Sequence, residues 1–205
     1  LGGIVGSMDA NGDGSLTNIT MGGAINIYGD GSTNNPAVGG LIGILRNDNT
    51  TAAQFTISGV NIATADGSTL SQRGYYDGGL IGLTIKPTHL HIGGAAENEA
   101  VRIGNPPDSV TISKGSGGFN GFTSGVVSST TGSLTMTIQN LHMTGVTVNL
   151  ATLTSLVFAG VESSYITATI TLKNSEFESC KLYKRSDQEK YYGYLFGSPW
   201  NGFIH

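Results

Sequence analysis

The string with the clearest chemical meaning in this 205-residue chain is Asp9-Ala10-Asn11-Gly12-Asp13-Gly14. Oxygen side chains at alternate positions can converge on one hard cation, and glycine permits the tight turn that gathers them, as in the first half of a calcium loop. The acid that should close such a loop is missing, because the twelfth position counted from Asp9 is Thr20. Asp9, Asn11 and Asp13 are candidate Ca²⁺ ligands, with a plain polar turn as the alternative reading. Calcium is the one cofactor the sequence suggests.

Other chemistry-bearing residues are scattered. Asn18-Ile19-Thr20 and Asn49-Thr50-Thr51 are N-glycosylation acceptor triplets, useful only where the asparagine is exposed and the chain passes through a glycosylating route. His89 and His91 would share one side of a strand, as two metal ligands should, yet no carboxylate or cysteine is spaced to complete a site. Glu97, Glu99, Arg102 and Asp108 crowd an irregular stretch where a loop could carry a polysaccharide-cleaving cleft, but no pair of acids recurs at a catalytic spacing. Trp200, beside Tyr191, Tyr192, Tyr194, Phe196 and Phe203, could stack on a sugar ring if exposed. We therefore expect no enzyme.

Positioning these residues is a matter of repeats. The strings Val38-Gly39-Gly40-Leu41-Ile42-Gly43 and Asp77-Gly78-Gly79-Leu80-Ile81-Gly82 share five residues, and nothing helical follows either copy, which removes a phosphate-binding loop. Gly2, Gly3 and Gly6 frame an earlier copy, and Gly117, Gly118 and Gly121 a weaker later one. Two degenerate copies keep Gly160 alone, or Gly193 and Gly197. The starts at 2, 39, 78, 117, 156 and 193 lie 37, 39, 39, 39 and 37 residues apart, a fixed period that marks a repeat protein.

A second element alternates apolar and polar residues: Ile19-Thr20-Met21, Phe55-Thr56-Ile57, Leu90-His91-Ile92, Met136-Thr137-Ile138 and Ile170-Thr171-Leu172. Alternation of period two means strand, with the apolar groups inward and the threonines or His91 outward. The glycines and asparagines that follow mark corners. No sustained helical spacing is found outside the charged segment 176–190. The expected fold is all-β, a parallel β-solenoid or right-handed β-helix with repeats of about 38 residues. Leu41, Ile81, Phe119 and Phe158 would form one internal ladder. A fully extended repeat would run about 125 Å at about 3.3 Å per residue, so loops must leave the core, unless each repeat makes two smaller coils.

The strings Gly40-Leu41-Ile42-Gly43 and Gly79-Leu80-Ile81-Gly82 resemble the GLUG-type repeats (Gly, Leu, any residue, Gly) of bacterial surface proteins and adhesins. The resemblance implies a β-helical stalk on a secreted or surface-anchored protein.

Composition limits the alternatives. Only 12% of residues are charged. Residues 1–172 carry 5 Lys or Arg against 10 Asp or Glu, and no basic stripe is present to neutralise phosphates, so nucleic acid is excluded as a partner. Residues 173–205 carry 5 against 4, together with eight of the sixteen aromatics, and read as a distinct end region of a single domain spanning 1–205. Cys180 is alone, which excludes an internal disulfide. The expectation is a fragment of a longer repeat protein, a structural or adhesive module at the cell surface or outside the cell. Its partners would be adjoining repeats, further copies associating end to end or laterally, or a host or matrix glycan or protein.

Overall fold

The computed structural model describes residues 1–9, 12–29, 36–47, 53–85, 89–127, 132–149, 153–161, 166–183, 191–197 and 203–204. The first part of the chain forms β1 (Val5–Asp9), β2 (Gly14–Met21), β3 (Ala24–Tyr28), β4 (Ala37–Gly39), β5 (Ile42–Arg46) and β6 (Gln54–Ile62). The middle forms β7 (Thr69–Ile85), β8 (His89–Gly93), β9 (Val101–Ile103), β10 (Val110–Val127), β11 (Gly132–Gln139), β12 (Leu141–Thr144) and β13 (Val146–Asn149). Short strands follow: β14 (Leu153–Thr154), β15 (Phe158–Val161), β16 (Ile166–Lys173), β17 (Glu176–Glu178), β18 (Lys181–Tyr183), β19 (Tyr191–Tyr192) and β20 (Phe203–Ile204). One 3₁₀ turn, Glu97–Glu99, interrupts them.

Among the described residues the strands make two sheets of eleven and nine members. Each strand is parallel to its neighbours, and the neighbours lie about one repeat away in sequence. Val5 is opposite Ile42, Ile42 opposite Ile81, Ile81 opposite Thr123 and Thr123 opposite Phe158. In the second sheet Phe55 is opposite Leu90, Leu90 opposite Met136 and Met136 opposite Ile170.

The local reason is visible between Leu134 and Val148. Leu134, Met136 and Ile138 are buried, then Leu141 and Met143, then Val146 and Val148. Strict alternation would send the second set outward, because one extra residue flips the face. Asn140 and Gly145 stand at the two breaks with φ of 58° and 61°, and each left-handed residue turns the chain while returning the apolar side chains to the interior. Asn18, Gly59 and Asn174 do the same at the first corner, with φ of 56°, 62° and 45°. Short runs of period two thus line an apolar cluster that extends from Leu41 to Ala168.

The glycines of the repeat are fixed by contact with backbone. A methyl group added at Gly2 would lie 1.9 Å from the Val5 carbonyl oxygen, at Gly39 1.8 Å from that of Ile42, at Gly78 1.8 Å from that of Ile81, and at Gly193 1.9 Å from that of Phe196. The same i to i+3 close approach recurs in four copies, so the first glycine is obligatory wherever the turn is kept. Gly3 and Gly40 face the next repeat instead, with added methyls 2.2 Å and 2.1 Å from the carbonyls of Gly40 and Gly79. Gly43, Gly82 and Gly197 also abut backbone carbonyls.

Four sequence expectations are corrected. Gly78 stacks on Gly121, while Gly117 and Gly118 fall in an irregular stretch between Lys114 and Phe119. The fourth copy is therefore displaced by four residues: Phe119 is opposite Tyr76, Phe122 is the buried aromatic of that copy, and Leu41 donates to Leu80. In the fifth copy Ser155, next to the Asn120–Thr154 pair, takes the place of the first glycine, and Gly160 lies opposite Gly125. The first apolar triplet was also misaligned. Ser15 is opposite Thr56, and Thr20 belongs to a different column, opposite Asn61. Finally, within the charged segment 176–190, residues 176–183 are strand and corner, not helix, since Phe177 and Leu182 continue the inward alternation against the core, and 184–190 lie outside the described residues.

Candidate functional site

Outward side chains on the nine-stranded sheet form columns, because parallel neighbours repeat at about 4.8 Å. One column runs Thr56, His91, Thr137 and Thr171. Its neighbour runs Gln54, His89, Thr135 and Thr169. His89 and His91 occupy ordinary outward strand positions in these columns, and among the described residues no group of three His, Cys, Asp or Glu side chains could hold a metal ion.

Beyond the asparagine corner lies the most varied column: Thr20, Asn61, Arg102, His142 and Glu176. Arg102 and His142 face an open groove whose other walls include Asn105, Thr144 and Glu178. The His142 ring is held at both nitrogens, by Asn140 Oδ1 at 2.7 Å and Glu176 Oε2 at 3.2 Å. The loop beside the groove is braced by Asn105, whose Nδ2 donates to the carbonyls of Ala63, Ala65 and Ser68 at 2.5, 3.1 and 3.1 Å. A preformed polar trough of this kind can present hydrogen-bond donors and acceptors to a polar ligand.

The acids suggested for a cleft do not converge. Glu97 pairs with Arg102. Glu99 accepts a hydrogen bond from the Ala96 amide at 3.0 Å and so caps the 3₁₀ turn. Asp108 receives both of its bonds from Lys181 Nζ at 2.8 Å. Each acid serves a separate local contact. These are exposed or half-exposed pairs worth about 0–1 kcal/mol apiece.

Asp9 and Asp13 are exposed and line one shallow hollow with Gly12, Ser15 and Phe55. One Asp13 oxygen accepts from the Gln54 amide at 2.9 Å, tying the turn to the start of β6. Asn11 lies outside the described residues, so the described part of this turn offers two carboxylates, one of them already engaged. Asn18 is exposed, as its acceptor triplet requires, and holds the left-handed corner beside Gly59. Asn49 and Trp200 lie outside the described residues. Tyr194 is 54% exposed, with its hydroxyl donating to the Cys180 carbonyl at 3.5 Å. Burial pushes the Cys180 thiol up from its ordinary pKa, which makes it a poor nucleophile.

Sequence reasoning missed a group inside the fold. Gln72, Asp77, Asn120, Thr154 and Ser155 are polar and fully buried. Burial holds the Asp77 carboxyl well above the usual carboxylate range, with the backbone of Ser113 and Gly74 offsetting part of that rise. The available signal was Asp77 itself, an acid directly before a glycine pair of the core motif.

No protein-family model matches the chain, and neither the curated proteins nor the solved structures give a significant match.

Proposed function

We propose that the chain is a parallel β-solenoid module, right-handed in the sense usual for parallel crossovers, that serves as a non-catalytic structural or adhesive segment at the cell surface or outside the cell. The observation that carries this reading is the pairing of equivalent residues from successive repeats, always parallel, as in Ile42, Ile81, Thr123 and Phe158. Kinship with GLUG-type surface repeats rests on the glycine strings, whose first members are packed against backbone in the same way in four copies. A stack of this kind is stiff along its axis and offers long, regular, weakly charged faces, which suits a stalk.

Its first partners are other repeats. β1, β2 and β3 pair on one side only among the described strands, as do β17, β18 and β20. Met8, Ile25, Ile27, Phe177 and Leu182 pack only part of their surface against the core. Open strand edges with apolar groups are templates for further strands, from adjoining repeats or from another copy stacked end to end. Surface labelling of intact producing cells with an antibody to this module tests the reading. Labelling without permeabilisation is expected, and labelling only after permeabilisation would defeat it.

The groove at Arg102, His142, Thr144 and Glu178 favours one second reading, polysaccharide binding. Binding to immobilised acidic glycans that weakens roughly ten- to hundredfold in Arg102→Ala would support it, in line with the roughly 1.5–3 kcal/mol of a charged hydrogen bond. Release of new reducing ends from such a glycan would instead show cleavage.

A further inference from the structure

Among the described residues, five buried oxygen atoms have no hydrogen bond of good geometry: Gln72 Oε1, Asn120 Oδ1, Ser155 Oγ and both carboxylate oxygens of Asp77, on which the nearby backbone of Ser113 and Gly74 acts only in part. All four residues are 0% exposed. The strand register gathers them. Asp77 is opposite Asn120, and the Ser155 amide donates to the Asn120 carbonyl at 3.1 Å. Gln72 Nε2 donates at 3.3 Å to the carbonyl of Gly78, the residue after Asp77. Asn120 Nδ2 donates at 2.7 Å to the Asn149 carbonyl. Each amide nitrogen thus points one N–H at a backbone carbonyl, which orients the two side-chain oxygens as acceptors. Around five acceptors the set offers the Ser155 hydroxyl and the second N–H of each amide, fewer donors than the lone pairs they would have to satisfy.

Leaving such atoms unsatisfied in a core is costly, so a guest must supply positive charge or protons. Carboxylate, amide and hydroxyl oxygens are the ligand types of hard cations, and five of them approach the coordination number calcium requires. We propose that Gln72, Asp77, Asn120 and Ser155 form an interior site for one hard cation of the calcium type, bridging three successive repeats. This site is separate from the Asp9–Asp13 turn and independent of the proposed surface function.

The test uses the whole chain, stripped with a chelator and titrated with Ca²⁺ by calorimetry and thermal unfolding, with Mg²⁺ and Na⁺ in parallel arms. We expect one slowly exchanging cation per chain, and a rise in Tm of about 5–10 °C at a hundredfold excess over Kd. Binding should survive Asp13→Ala, disappear in Asp77→Asn and weaken several-fold in the milder Ser155→Ala. Wild-type protein that neither binds nor is stabilised by any of the three cations would overturn the proposal and leave a protonated Asp77 with enclosed water. Binding lost in Asp13→Ala but kept in Ser155→Ala would equally overturn it, by placing the ion at the surface turn.

Discussion

Gly78 and Gly79 stand side by side in the same motif, yet the fold asks different things of them. A methyl group on Gly78 would meet the Ile81 carbonyl oxygen at 1.8 Å and its carbon at 2.5 Å, both rigid backbone atoms. A methyl on Gly79 would meet its nearest neighbour, the Ile112 Cδ1 atom, at 3.1 Å, and that atom is the end of a side chain able to shift by a few tenths of an ångström. Relieving the first clash means opening the turn by more than 1 Å, a displacement on the order of an atomic radius in a close-packed interior. It also pulls the Gly78 carbonyl from the Gly40 amide, now 3.1 Å away, and disturbs the pairing with Gly39 and Gly121. Overpacking costs about 1–3 kcal/mol and each buried hydrogen bond lost about 1–2 kcal/mol more, so Gly78→Ala should cost about 3–5 kcal/mol. Gly79→Ala should cost about 1 kcal/mol or less. For a chain of this size the difference is roughly 6–15 °C in Tm, readable by circular dichroism during thermal or urea unfolding. Equal losses for the two variants, or a greater loss for Gly79→Ala, would refute the assignment of the first glycine to the turn.

Further variants probe other parts of the fold. Phe122→Ala should cost about 3–5 kcal/mol in urea unfolding as a fully buried aromatic is removed, whereas a sequence register that made Phe119 the core residue would predict little effect. Asn140→Ala should cost about 1–2 kcal/mol more than Asn140→Gly, because both lose the side-chain bond to His142 but only alanine is strained by the left-handed φ of 58°. Asp13→Ala should cost about 1 kcal/mol through the lost bond to the Gln54 amide, measured by the urea midpoint. Asp77 gives a pH dependence of definite sign in chelator. Its folded-state pKa is raised, so the folded chain holds the proton more tightly than the unfolded one, and stability falls as pH climbs from about 4 toward the folded value, by at most about 1.4 kcal/mol per pH unit. Asp77→Asn should abolish that decline; an unchanged pH profile in the variant would show that another group causes it.

The all-β character and the parallel stacking were legible because both depend on pattern. Phe55, Ile57, Met136 and Ile138 alternate cleanly, and Gly39 and Gly78 are constrained by backbone contacts that no other residue tolerates. The register failed where the string was satisfied by chance. Gly117-Gly118-Phe119-Asn120-Gly121 imitates the motif, but the buried position is filled by Phe122, and the irregular stretch after Lys114 absorbs the difference. Spacing could not reveal this, since strands tolerate an extra residue wherever a bulge can form. The same physics misplaced Thr20: Asn18 turns the chain, so the inward phase before the corner differs from the phase after it. Chemical sites were less legible still. Glu97, Glu99 and Asp108 looked like a cluster in sequence, yet each side chain answers to a different neighbour, and only coordinates could separate them. The buried Asp77, Asn120 and Ser155 belong to three repeats, so no local string contains them.

Cross-linking between repeats tests the central claim, parallel stacking in a defined register, most directly. Thr137 and Thr171 are outward register partners, 34 residues apart in sequence. Parallel neighbours at about 4.8 Å fall within the span of a disulfide. In a Cys180→Ala background, Thr137→Cys with Thr171→Cys should oxidise rapidly to an intramolecular disulfide in the folded protein, while Thr137→Cys with Thr167→Cys should stay reduced. Rapid closure of the second pair with failure of the first would contradict the account.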